Sequence, residues 1–164
     1  MKEKIIATDK KNLELIIENE INLYGNKCDL NHIDVSNVND LSYLFYDSKF
    51  NGDISKWNVS KATNMRGLFF HSKFKGDISN WNVSNVNNMN HLFLGSKFNG
   101  DISKWRPLKL KYTEDMFENC SAPVPYWFGN NNEEVLNKIE SYDLFNKMNG
   151  ELNNKETKIK KMKI

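Results

Sequence analysis

The stretch Phe50-Asn-Gly-Asp-Ile-Ser-Lys-Trp-Asn-Val-Ser60 recurs almost unchanged at Phe74–Ser84 and, altered at its end, from Phe98, which sets a period of 24 residues. A fixed period of this length means stacked supersecondary units. One unit alone buries too little apolar surface to offset its chain entropy, so neighbours must cover one another. Extending the phase backwards gives a divergent first copy over 26–49, in which Leu30, Ile33, Val35, Leu44 and Phe45 occupy the places of Ile54, Trp57, Val59, Leu68 and Phe69. The second and third copies are 50–73 and 74–97. The fourth starts at Phe98, keeps phase to Trp105, breaks at Arg106-Pro107 and regains phase at Met116-Phe117. A proline cannot donate a ladder hydrogen bond, so it suits a last, edge position.

Within a copy, Trp57 and Val59 have the two-residue spacing of a strand, and Met65, Leu68 and Phe69 the spacing of one helical turn after a Thr63 or Asn64 cap. The Phe50/74/98 and Trp57/81/105 ladders read as core, and Gly52-Asp53 as the turn. Before the repeats, Leu13, Ile16, Ile17, Ile21 and Tyr24 form one face of a helix running from Thr8 or Asp9 to Gly25. After an irregular, Pro-rich segment from Ser121, a second helix is expected from Asn132 to about Met148, ended by Asn149-Gly150. The expected architecture is an α/β solenoid. It is a leucine-rich-repeat-like stack of four 24-residue repeats, each a short strand plus a short helical turn, with a capping helix at either end. Its domains are a cap over 1–25, the solenoid over 26–121, a second cap over 122–150 and a basic tail over 151–164. The tail is open to three readings: disordered, weakly amphipathic and helical, or an electrostatic arm.

Charge and cysteines narrow the classes. The formal charge is +2, but 151–164 carries +3, leaving −1 on the other 150 residues, so the body lacks the overall basic surface of a dedicated nucleic-acid binder. Cys28 and Cys120 are far apart and belong to no Cys-x-x-Cys pair, which leaves no legible zinc or redox site and points to free thiols. The N-terminal stretch turns polar after Ile5, Ile6 and Ala7, too few apolar residues for a signal-peptide core. The expectation is a cytoplasmic protein with no membrane partner, a monomer or small oligomer.

Leu68–Met89, nearly whole, and Leu92–Trp105, in part, carry the pattern Leu-Phe-x-x-Ser-Lys-Phe-Asn-Gly-Asp-Ile-Ser-x-Trp-Asn-Val-Ser-Asn-Val-x-Asn-Met. This resembles the repeat of BspA-type leucine-rich-repeat surface proteins, also found in bacterial lipoproteins, over about 26–121. The resemblance implies a leucine-rich-repeat-like solenoid with a binding role, often adhesion or host-factor contact, and no catalysis.

No catalytic motif, cofactor or metal is expected. His32, His71 and His91 occupy different phases, and Asp53, Asp77 and Asp101 read as solvated turn residues, with a calcium ladder as the sharper alternative. The candidate partner-binding residues are those the repeat leaves free: Lys56, Asn58, Asn80, Asn82, Lys104 and Arg106 on the strand face, preceded by His32 and Asp34. A ladder of Tyr46, Phe70 and Leu94 joins them if it faces outward rather than into the core. The leading expectation is a non-catalytic module that binds an intracellular protein; one concrete version is a stand-alone, anti-CRISPR-like inhibitor of a host-defence nuclease. Two alternatives stand beside it. One is a nucleic-acid binder using Lys49, Lys73, Lys75 and Lys97 with Lys158, Lys160 and Lys161 of the tail, nucleic acid also being conceivable as part of a ribonucleoprotein target. The other is a surface adhesin.

Overall fold

The computed structural model describes the backbone of residues 2–162 and the side chains of residues 2–152. Its regular elements are β1 (Ile5–Ile6), α1 (Lys10–Tyr24), β2 (Ile33–Asp34) and α2 (Asn132–Met162). The Asp9 carboxylate accepts the Asn12 amide at 2.9 Å and starts α1, and Gly25, at φ 81°, ends it by donating its amide to Ile21 O. Leu13 and Ile17 are buried against the first coil, with Ile16 and Ile21 partly so, whereas Tyr24 is exposed. β1 runs parallel to β2, Ile5 opposite Ile33, so the N-terminal segment lies along the first coil as strand and then as helix.

From Asn26 onward the chain winds in 24-residue coils lying on one another. Along one side, which we call the ribbon, the amides of Leu41, Tyr43, Phe45 and Asp47 donate to the carbonyls of Asn64, Arg66, Leu68 and Phe70. Met65, Gly67, Phe69 and His71 donate in the same way to Asn88, Asn90, Leu92 and Leu94, and Met89, His91, Phe93 and Gly95 to Tyr112, Glu114, Met116 and Glu118. All of these bonds point towards the C-terminal end. Isolated parallel bridges mark the ribbon's start at Asp40, Asn64, Asn88 and Tyr112.

Trp57–Val59, where a strand is expected, is an irregular link between two turns, and Met65–Phe69, where a helical turn is expected, falls among successive turns. Trp57 donates to Ile54 O, Ala62 to Val59 O, Leu68 to Met65 O and Phe70 to Gly67 O. Side-chain oxygens of Asp53, Asn58 and Asn64 accept the amides of Ser55, Ser60 and Arg66 at 2.9, 3.2 and 3.1 Å. These local bonds compete with regular structure and bend the chain every few residues, leaving no run long enough for either element.

The core is aromatic and in register. Phe45, Phe69, Phe93 and Phe117 stack with centroids 5.7, 5.7 and 5.8 Å apart, and Phe50, Phe74 and Phe98 at 6.1 and 6.3 Å. Each indole N–H is satisfied by a carbonyl of the preceding coil: Trp57 by Leu30, Trp81 by Ile54, Trp105 by Ile78. Trp127 adds a rung that the 24-residue phase does not reveal, 22 residues after Trp105. It stacks on Trp105 at 6.4 Å and donates to Ile102 O. Cys28 lies in the first coil and Cys120 in the fourth, both as free thiols.

Val135 and Ile139 of α2 are buried on the last layer. The stop expected at Asn149-Gly150 does not occur, for α2 continues to Met162. A glycine inside a helix costs only about 1 kcal/mol, and the Glu, Leu and Lys residues that follow are strong helix formers. Of the three readings of the tail, its backbone is helical to Met162; its lysine side chains lie outside the described residues. Among the described residues, no helix is long and apolar enough to cross a membrane.

Candidate binding face

On the side opposite the core from Trp57 and Val59, Lys56, Asn58, Asn80, Asn82 and Lys104 project into solvent. Both ends of this row are held by intramolecular pairs. At one end His32 Nε2 lies 3.3 Å from Glu20 Oε2, and Lys4 Nζ lies 2.8 Å from Asp34 Oδ2. The hydrogen bonds from Lys4 and Ser36 hold the Asp34 carboxyl far below the usual carboxylate range. At the other end, Arg106 is paired within the chain. It grips Asp143 with both guanidinium nitrogens, Nη1 to Oδ1 at 2.7 Å and Nη2 to Oδ2, and so ties α2 to the fourth coil.

The aspartate ladder serves the turns. Asp53, Asp77 and Asp101 accept the amides of Ser55, Ser79 and Ser103 at 2.9, 2.9 and 2.8 Å, and these bonds lower all three carboxyl pKa values. A group with a lowered folded pKa stabilises the native state fully above its unfolded pKa of about 3.9, and that stabilisation fades as pH falls through the folded value. Asparagine makes the same turn bond at Asn58 and Asn82 without titrating. The triple variant Asp53→Asn/Asp77→Asn/Asp101→Asn therefore loses less of its urea midpoint between about pH 5 and pH 2.5 than the parent does. Parallel curves for the two proteins would exclude the ladder as an acid-sensitive element.

The ribbon's outer side is different in character. Tyr46 is 54% exposed, Phe70 and Leu94 are half-buried, and none of the three belongs to the core. Left-handed backbone recurs at Tyr43, Gly67, His91 and Asp115 and again at Asp47, His71, Gly95 and Asn119, with φ between 48° and 64°. Where that position is glycine, the side chain one coil earlier lies across it. A Cβ on Gly67 would sit 2.4 Å from the Tyr43 ring, and one on Gly95 would sit 2.4 Å from His71 Nδ1.

The rings thereby spread into one surface. Tyr43 meets Tyr46 edge-on at 6.1 Å, Tyr46 lies 5.2 Å from Phe70, and Phe70 lies 4.5 Å from His71 and 6.3 Å from His91. The Arg66 guanidinium sits 5.9 Å from the Tyr43 ring. His71 and His91 differ in phase, yet both lie against Phe70, because adjacent coils are closer together than these side chains are long. His91 Nδ1 is 3.8 Å from Asp115 Oδ2 and has no hydrogen bond. Among the described residues no three potential metal ligands gather. Tyr43, Arg66, His71 and His91 are absent from the sequence-derived set. The signal for them was the alternation of large residues with glycine at 43/67 and 71/95. Lys49, Lys73, Lys75 and Lys97 are exposed, and Lys73 and Lys97 follow the ribbon by a few residues.

The sequence profile of the family described as "Mycoplasma protein of unknown function, DUF285" matches residues 14–127, more than half of the chain. The chain belongs to this family. The DUF285 match begins within α1 and ends on Trp127, the last rung of the tryptophan ladder, so it spans all four coils and with them the aromatic face. No curated protein and no solved structure matches the chain.

Proposed function

We propose that this DUF285 member is a leucine-rich-repeat-like α/β solenoid with BspA-type repeats, and that it acts as a non-catalytic module binding an intracellular protein through the ribbon's aromatic face. The observation that carries this reading is the contiguous surface cluster in which exposed Tyr43, Tyr46, Arg66 and His71 surround half-buried Phe70 and His91. Tyrosine and arginine are among the residues that dominate interface energetics, and rings left in water at this density gain most from being covered. The exposed row of Lys56, Asn58, Asn80, Asn82 and Lys104 supplies polar contacts on a second side. In its most specific form the partner is a larger machine, such as a defence nuclease, whose working surface the module occludes.

A second reading, nucleic-acid binding, draws on Lys49, Lys73, Lys75 and Lys97 near the aromatics, since stacking rings beside cations suit single strands. Affinity capture from host extract, with and without nuclease, separates the two. The expected result is a protein retained after nuclease and bound roughly 30-fold more weakly by Tyr46→Ala/Phe70→Ala, the effect of losing a hot spot of about 2 kcal/mol. Capture abolished by nuclease, or unchanged in the double variant, would sink the protein-binding reading.

A further inference from the structure

We propose that the C-terminal edge of the ribbon docks an extended basic peptide by main-chain pairing. In the first three coils every ribbon amide of the set is taken by a carbonyl of the next coil. In the fourth coil the equivalent amides belong to Thr113, Asp115, Phe117 and Asn119, and among the described residues they have no acceptor. Their peptide units share one orientation, so the edge is a row of like-pointing donors spaced two residues apart. That is the arrangement to which an added backbone supplies carbonyls. At the other end of the stack, α1 lies beside the first coil, with Lys10 Nζ donating to Ser42 Oγ.

The edge borders a groove of about 510 Å³, walled on its far side by Phe128 and Asn130. This lies within the roughly 300–1,000 Å³ typical of ligand clefts. Thr113, whose hydroxyl donates to Gly129 O, closes one end, leaving Asp115, Phe117 and Asn119 as the available row.

The rim selects the occupant. Where inner coils carry Asn90, His91 and Leu94, the fourth coil carries Glu114, Asp115 and Glu118, all exposed. Three carboxylates repel an anion that the bare amides would otherwise attract, and they favour lysine or arginine at alternate positions of an extended chain. This site adjoins the aromatic face at His91 and Asp115, but it binds through its own main-chain amides and does not depend on the function proposed for that face.

The test uses the ¹⁵N-labelled full chain. Without peptide, the amides of Asp115, Phe117 and Asn119 exchange with solvent at least about tenfold faster than those of His91, Phe93 and Gly95, as unpaired amides do. A blocked octapeptide of alternating lysine and valine then protects and shifts those three amides saturably, while the glutamate–valine octapeptide and inorganic phosphate do not. Glu114→Lys/Glu118→Lys weakens binding of the lysine peptide about tenfold, and Glu114→Gln/Glu118→Gln weakens it less. Tyr46→Ala/Phe70→Ala leaves it unchanged, which keeps failure here distinct from failure of the aromatic-face reading. Tighter binding of the acidic peptide or of phosphate, shifts confined to other residues, or no binding of the lysine peptide would each overturn the proposal. Should the lysine variant not fold, the glutamine variant and the amide protection decide.

Discussion

Replacing Phe69 with alanine lowers the unfolding free energy by about 3–5 kcal/mol. The ring is fully buried and packs on four others: Phe45 and Phe93 at 5.7 Å, Phe74 at 4.6 Å and Trp81 at 6.2 Å. The void collapses poorly, because Phe74 is held between Phe50 and Phe98 and Phe93 stacks on Phe98 and Phe117. A small domain has only about 5–15 kcal/mol in total, so this one truncation removes a large share of it. In a stack where each coil touches only its neighbours, the loss also weakens coupling between the two halves, and the urea transition broadens. Phe70→Ala, one residue along but on the outer side, costs under about 1 kcal/mol. Urea melts of the two variants side by side make the check. Equal losses would mean that the ring stack is not what holds the coils together.

Gly52→Ala has the second large effect, a loss of about 3 kcal/mol or more. The added Cβ would fall 2.0 Å from the Cys28 carbonyl oxygen and 2.7 Å from Phe50 Cε2, and a backbone atom has no rotamer by which to withdraw. Coils one and two must separate to admit it. At Gly76 the Cβ meets the Phe74 ring at 2.6 Å and the Gly52 carbonyl at 3.1 Å, and at Gly100 it meets only the Phe98 ring, at 2.7 Å. The expected order of damage is therefore Gly52, then Gly76, then Gly100, read as melting temperatures of the three alanine variants. Equal damage at all three would show that the phenylalanine contact, common to them at 2.6–2.7 Å, sets the cost rather than the distance between coils.

The same glycines show what was legible in the sequence. Phe-x-Gly at 50, 74 and 98 pairs a large ring with a residue lacking a side chain, and the ring lies under that residue in each coil. The period alone identified Phe50, Ile54, Trp57, Val59, Leu68 and Phe69 as interior, since residues 24 apart fall on one another and large apolar ones recur at these positions. The last rung, Trp127, was hidden by a two-residue shortening of the final spacing. Regular strands and helical turns were overestimated because the Asp, Asn and Ser side chains that bend the chain also occur in ordinary polar faces.

The binding face was half legible. The Tyr46, Phe70 and Leu94 ladder followed from the phase, but its direction did not, because side-chain direction depends on backbone torsion and φ near +50° to +60° is not written in hydrophobic spacing. From the sequence Arg106 reads as part of an open row, whereas Asp143, 37 residues on, lies across from it.

By itself, then, the sequence determined the 24-residue repeat, the residues that lie between layers and the family to which the chain belongs. Only the tertiary structure decided which way the ribbon's amides point, that His71, His91 and Tyr46 gather around Phe70, that Arg106 is occupied and that α2 passes through Gly150. The physical reason is one of range: recurrence along the chain places like residue over like, whereas neighbours of unlike phase meet through torsion angles and side-chain reach.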